Sequence, residues 1–207
     1  MSDDEVAHVA ASGDDALVLT LAGTPSLAAT ERVVSAWRAL LEQDPPWLIQ
    51  AQPSYTQLQV VFSPDGDVDT IAATLLALPR AGGLAAARTI SLEVDYDGAD
   101  LDDVARHAGL TVEGVIALHA DRPYRCAFTG FLPGFPYLLG LDERLHTPRL
   151  AKPRAEVPAG SVGIGGTQTG VYPLPSPGGW RLIGRVRAPV APDLIRAGDV
   201  VIFRRAR

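Results

Sequence analysis

Val157-Pro158-Ala159-Gly160-Ser161-Val162-Gly163-Ile164-Gly165-Gly166-Thr167-Gln168-Thr169-Gly170-Val171-Tyr172-Pro173 holds too many glycines and prolines for a helix. It reads as short β-pieces, Ser161 to Ile164 and Gly170 to Tyr172, joined by a tight glycine turn. A phosphate loop fails here, because the Walker pattern needs Lys and Ser/Thr directly after its last glycine, whereas Val171-Tyr172 follow Gly170. The dinucleotide fingerprint fails too, with Gln168 standing where its third glycine belongs. Two readings of the glycines remain open: a plain β-turn, or a backbone cradle for an anion.

The surroundings behave alike. From Pro123 to Gly184 prolines and glycines crowd together, and further β-type pieces appear at Arg125 to Phe131, Trp180 to Val186 and Val200 to Phe203. Short strands with many such turns predict a barrel or sandwich over 123–207. The first part alternates instead. Ala16 to Leu21 is a strand, and Leu27 to Leu41 has helical spacing stopped by Asp44-Pro45-Pro46. Trp47 to Ala51 and Gln57 to Phe62 are strands, Val68 to Leu78 a helix, and Thr89 to Val94 a closing strand. That β-α-β-β-α-β order predicts a ferredoxin-like α/β domain over 1–95. Asp100 to His107, ended by Gly109, and Thr111 to His119 give two short helices, a connector over 96–122. The fold class expected is α+β.

Composition excludes several functions. At 47% hydrophobic and 20% charged residues the chain is that of a globular protein rather than a disordered one. A net charge of −6 argues against nucleic acid as a partner. No apolar run approaches the roughly 18 residues of a membrane span. The acidic start, Met1 to Glu5, does not look like a secretory signal. Cys126 is the single cysteine, which suits a reducing compartment, so a cytoplasmic location is expected. Lys152 is the single lysine.

Gly130-Phe131-Leu132-Pro133-Gly134-Phe135-Pro136-Tyr137 holds its aromatic rings on a stiff backbone, either as a binding wall or as a buried corner. Pro148-Arg149-Leu150-Ala151-Lys152-Pro153-Arg154 offers three cations, either to an anion or to solvent. The histidines lack metal spacing. His8 is expected in a tail, His107 and His119 at the surface or at helix caps, and only His146 lies near the proline-rich motifs. Asp142 and Glu143 are adjacent and point apart, and Ser161 has no G-x-S-x-G elbow, so no catalytic residue is identified.

Taken together, these stretches resemble the family containing the B subunit of 5-oxoprolinase, allophanate hydrolase subunit 1 and the sporulation kinase inhibitor KipI. The resemblance rests on Gly130 to Leu138, Gly140-Leu141-Asp142, Thr147-Pro148-Arg149, Val157 to Ile164, Gln168 to Pro173 and Ser176 to Arg185, in order and spacing. It implies a ferredoxin-like first domain and a cyclophilin-like β-barrel. It also implies an ATP-dependent opening of 5-oxoproline to glutamate, with ATP as substrate and Mg2+ held by its phosphates or by a partner. The partners implied are a C-type and an A-type subunit, and the chain would be inactive alone. The same resemblance covers a regulator of a sensor histidine kinase and a subunit of allophanate or urea processing. By motif, Phe135, Pro136 and Tyr137 would wall a pocket, and Arg149 would meet an anion. Ser161, Gln168, Thr169 and Tyr172 would supply hydrogen bonds, and Trp180 would be pocket or core. Two places depart from the family pattern: Thr167, and the contracted segment Ala188-Pro189-Val190-Ala191-Pro192, which would trim a loop.

Overall fold

The structure, a computed structural model, describes residues 7–79 and 87–207. The start Met1 to Glu5 lies outside them. The chain divides into two units, 1–86 and 87–207.

In the first unit β1 (His8–Ala11), β2 (Ala16–Thr20), α1 (Leu27–Gln43), β3 (Leu48–Pro53), β4 (Gln57–Phe62) and α2 (Val68–Ala77) follow in order. The sheet runs β1-β2-β4-β3, with every neighbour antiparallel. Ser26 caps α1, its hydroxyl accepting the Ala29 N–H, and Asp44 ends the helix in the left-handed region ahead of the two prolines. Asp67 caps α2 in the same way. Leu17 and Leu19 of β2 and Leu58 and Val60 of β4 meet Val33, Leu40, Ile71 and Leu75 of the helices in one apolar cluster.

Two sequence expectations are corrected here. The strand at Thr89–Asp95 (β5) does not close this sheet. It runs parallel to β13 (Val200–Arg205) in the second unit, from Thr89 opposite Val200 to Val94 opposite Arg205. The edge beside β2 is instead taken by β1, from the segment expected to be a tail that includes His8. The unit is therefore β-β-α-β-β-α. Alternating apolar residues declare a strand but not its partner, and β5 finds its partner far along the sequence, with Thr89 opposite Val200.

The second unit continues with α3 (Leu101–Ala108), α4 (Val112–His119), β6 (Pro123–Thr129), β7 (Pro136–Leu139), β8 (Arg154–Val157), β9 (Ser161–Gly165), β10 (Gln168–Val171), β11 (Ser176–Gly178), β12 (Arg181–Val186) and then β13. Seven of the described strands close a barrel in the order β10-β7-β6-β13-β5-β12-β9, while β8 and β11 form a small separate pair. The barrel expectation for the second half holds. The seam between β12 and β5 needs glycine: a Cβ on Gly184 would lie 2.5 Å from the Asp95 carbonyl oxygen.

The helices over 96–122 are not a separate connector. Leu101, Val104, Val115 and Ile116 belong to the same apolar cluster as Leu92, Val162, Ile183 and Phe203 of the barrel. Two turns of amphipathic helix cannot bury their apolar faces against each other alone, so they share the barrel's core. Asp100 shows the tie. Instead of capping α3, its carboxylate accepts the Leu182 N–H of β12 at 2.6 Å and pairs with Arg154 at 2.7 Å.

Candidate functional site

The glycine-rich hairpin is a seat for an aromatic ring. On β9, Val162 and Ile164 point into the barrel's apolar cluster, so Gly163 and Gly165 face outward. Gly170 pairs with Gly163 and shares that outer face. A Cβ on Gly165 would lie 2.6 Å from the Trp180 ring, and one on Gly170 would lie 3.1 Å from Phe135 and 3.2 Å from Trp180. The indole therefore lies directly on bare backbone. The plain β-turn reading of the glycines is the one the structure takes, with Gly166 at φ 66° closing the hairpin.

Trp180, buried, stands edge-on to Phe135 at 5.1 Å and to Tyr137 at 5.9 Å, and Phe135 in turn meets Tyr172 at 4.9 Å. These rings form an apolar cluster outside the barrel core, with Val157 and Leu182. They wall a cavity of about 320 Å³, with Phe131 and Arg149 also at its wall. Burial raises the Tyr172 phenol above its usual range, against the pull of the Trp180 backbone N–H and the Arg149 charge.

The cation-rich segment divides by role. Arg154 pairs with Asp100, and Arg181, from β12, with Asp103 at 3.3 Å. Lys152 is exposed. Arg149, also exposed, has its guanidinium carbon 5.6 Å from the Trp180 ring centre. Among the described residues it pairs with no acid.

Of the sequence candidates, Phe135, Tyr137, Arg149, Tyr172 and Trp180 therefore come together around one cavity. Pro136 is buried at the start of β7, directly behind that wall. Ser161, Gln168 and Thr169 are buried in β9 and β10 and do not line the cavity. Strand register explains the separation: Thr169 pairs with Ile164 and faces the interior, while Gln168 sits beside Gly165 at the hairpin end.

Sequence reasoning missed Phe131 as a site residue, although it lies in the aromatic motif. It holds φ at 69° and remains 63% exposed, with its ring edge-on to Phe135 at 5.8 Å. The turn around it is fixed by Gly130 N–H to Phe135 O at 3.0 Å and Phe135 N–H to Leu132 O at 3.1 Å. It is also fixed by Gly134, at φ 76°, which packs against the backbone of Pro192. Pro192, at the end of segment 188–192, thus braces the aromatic turn. A left-handed, exposed phenylalanine costs on the order of 1 kcal/mol, which its surroundings must offset. Phe131→Gly is expected to leave urea stability equal or higher by up to about 1 kcal/mol while weakening any ligand of the cavity. A clear loss of stability would show that the ring serves packing instead.

His119 corrects an expectation. It is fully buried rather than at the surface, stacked on Phe203 at 4.9 Å. Thr169 Oγ1 donates to Gly163 O at 3.0 Å, so it must accept the His119 Nε2–H at 2.8 Å. His119 Nδ1 then accepts the Tyr96 O–H at 2.8 Å. The hydrogen bonds fix a neutral tautomer, and burial, with the Arg122 charge second, holds its pKa down to about 3. Apolar spacing around a lone histidine gives no sign of such a chain. Cys126 is buried as well, its thiol pushed far up by burial, so it is no nucleophile. Among the described residues no group of three or more His, Cys, Asp or Glu could hold a metal ion.

Comparison with known proteins agrees with this architecture. The sequence signature of the family described as "Carboxyltransferase domain, subdomain C and D" matches residues 7–192. The chain is 43% identical to the B subunit of 5-oxoprolinase from Escherichia coli O157:H7, with 92% of each chain covered. It is 38% identical to the B subunit of 5-oxoprolinase from Bacillus subtilis (strain 168), covering 84% of this chain and 82% of that one. The solved structure of TTHA0988 superposes with a TM-score of 0.84 at 39% identity over 93% of this chain, which spans 40% of that longer chain. The chain belongs to the carboxyltransferase subdomain C and D family, among its 5-oxoprolinase B-subunit sequences.

Proposed function

We propose that this chain is the B subunit of a multi-subunit, ATP-dependent 5-oxoprolinase that opens 5-oxo-L-proline to L-glutamate. The observation that carries the reading is the 43% identity, across 92% of both chains, with a protein named as the B subunit of 5-oxoprolinase. The geometry supports a subunit that works with others. It offers a cavity with one cation, Arg149, in its wall, while His119 and Cys126 are locked in the core. Partners of A type and C type supply the remaining groups, and the chain alone is inactive.

The chemistry sets the requirement. A lactam is a stable amide, so ATP phosphorylates its oxygen and releases ADP. Water then attacks the activated carbon, the C–N bond breaks, and phosphate and glutamate leave. ATP is the co-substrate, and its Mg2+ arrives on the phosphates or on a partner's residues. No helix among the described residues is long and apolar enough to cross a membrane, and the proposed enzyme works in the cytoplasm.

The test is an ATP-dependent assay of glutamate formation with the A-type and C-type proteins of the same cell, each protein omitted in turn. Glutamate that forms only when this chain is present is the expected result. A complex that assembles and makes none rejects the reading.

A further inference from the structure

The cavity beside Trp180 has a charge and a shape that suit one of the two substrates and not the other. Its lining contains a single charged group, Arg149, and no acid. The nearby Arg154 and Arg181 are already neutralised by Asp100 and Asp103. Arg149 lies over the Trp180 ring, its guanidinium carbon 5.6 Å from the ring centre, and among the described residues no acid takes its N–H donors. Those donors form the fork that grips a carboxylate through two parallel bonds. Below it, Phe135, Tyr137, Tyr172 and Trp180 present ring faces and edges, suited to a flat, uncharged body. The volume of about 320 Å³ suits a compact ligand. A triphosphate would bring about four negative charges against one cation and aromatic walls, with a large desolvation cost.

We infer that this cavity is the 5-oxoproline subsite: a small monocarboxylate carrying a planar, uncharged amide binds with its carboxylate on Arg149 and its ring on the aromatic wall. This rests on the proposed 5-oxoprolinase function and deepens it, because it assigns the lactam to this chain and places the nucleotide elsewhere in the complex. Phe131, on its strained backbone at the wall, shapes the opening.

The experiment uses the assembled complex with Arg149→Gln in this chain. The KM for 5-oxo-L-proline is expected to rise about tenfold or more, the loss of one charge-assisted fork, while the KM for ATP stays within about twofold. Arg149→Lys, which keeps the charge without the fork, falls between. Arg149 is exposed, so the variants fold, and unchanged complex yield confirms it. An ATP KM that moves instead, an unchanged 5-oxoproline KM, or a lower complex yield overturns the assignment. The last outcome would mean that the cavity holds a partner segment.

Calorimetry on the chain alone separates this result from failure of the function itself. 5-Oxo-L-proline should bind and lose about tenfold with Arg149→Gln, whereas pyrrolidin-2-one, the same ring without the carboxylate, should bind more weakly and be indifferent to the substitution. Carboxylate-dependent binding with no glutamate formation keeps the site and rejects the enzyme assignment. Glutamate formation with an Arg149-independent KM does the reverse.

Discussion

His119→Ala is expected to destabilise the barrel unit by about 3 kcal/mol in urea titrations at neutral pH. Removing a fully buried ring leaves a cavity of aromatic size, and Tyr96 O–H and Thr169 Oγ1 lose their shared partner. The same residue sets an acid sensitivity. In the unfolded chain a histidine takes up a proton near its ordinary value of 6.5, but in the fold His119 does not until about pH 3. Between those values the unfolded state binds more protons, so stability falls as pH falls, by up to about 1.4 kcal/mol per unit. Asp67, Asp95, Glu113 and Asp142 are also held low by their hydrogen bonds, but their reference values are 3.8 to 4.5. Their share of the pH dependence sets in near and below those reference values, so little of it falls between pH 7 and 5.5. A drop of about 1 kcal/mol between pH 7 and 5.5 should therefore appear in the native chain and vanish in His119→Ala. An equal drop in both would show that another group carries the slope.

Gly165→Val is expected to act on the site through packing. The first added carbon would already lie 2.6 to 2.8 Å from three atoms of the indole, and valine adds two more. β9 is fixed on both sides, by β10 and β12, so the ring must move rather than the strand. The cost is about 3 kcal/mol of overpacking. The displaced indole disturbs Arg149, whose guanidinium carbon lies 5.6 Å from the ring centre. A fold that survives should show Trp180 more exposed to quenchers and no binding of 5-oxo-L-proline. Unchanged quenching would mean that the hairpin yields and that the glycines are not a seat. Gly166, at the hairpin tip, has open space where a Cβ would go but a left-handed φ, so alanine there should strain the turn without moving the ring.

Much of the architecture was legible because it is local. Ser26 with the spaced apolar residues after it fixes α1, Gly109 ends α3, and the glycine-proline density after Pro123 leaves only short strands. What escaped was partnership between distant segments. β5 carries the same alternation whether it closes the first sheet or joins β13, and two short helices look like a connector until their apolar faces are counted into the barrel. The candidate site was half legible for the same reason. The motif supplied the rings and Arg149, while strand register, which turns Thr169 into the barrel and leaves Gln168 on the outer face at the hairpin end, depends on pairing between β9 and β10. His119 carried no sequence signal, because what makes it special is a threonine 50 residues on.

The placement of β13 has a consequence for biosynthesis. This strand lies between β5 and β6 and pairs with both. While the ribosome is still translating, β5 and β6 exist as separate edges with no neighbour between them, and the barrel stays open until Arg205 has left the exit tunnel. The α3–α4 hairpin and the β9–β10 hairpin can form early from local contacts. Closure is then a single late event joining segments far apart in the chain. During that wait the two unpaired edges are the points at which the nascent chain is most exposed to pairing with another copy.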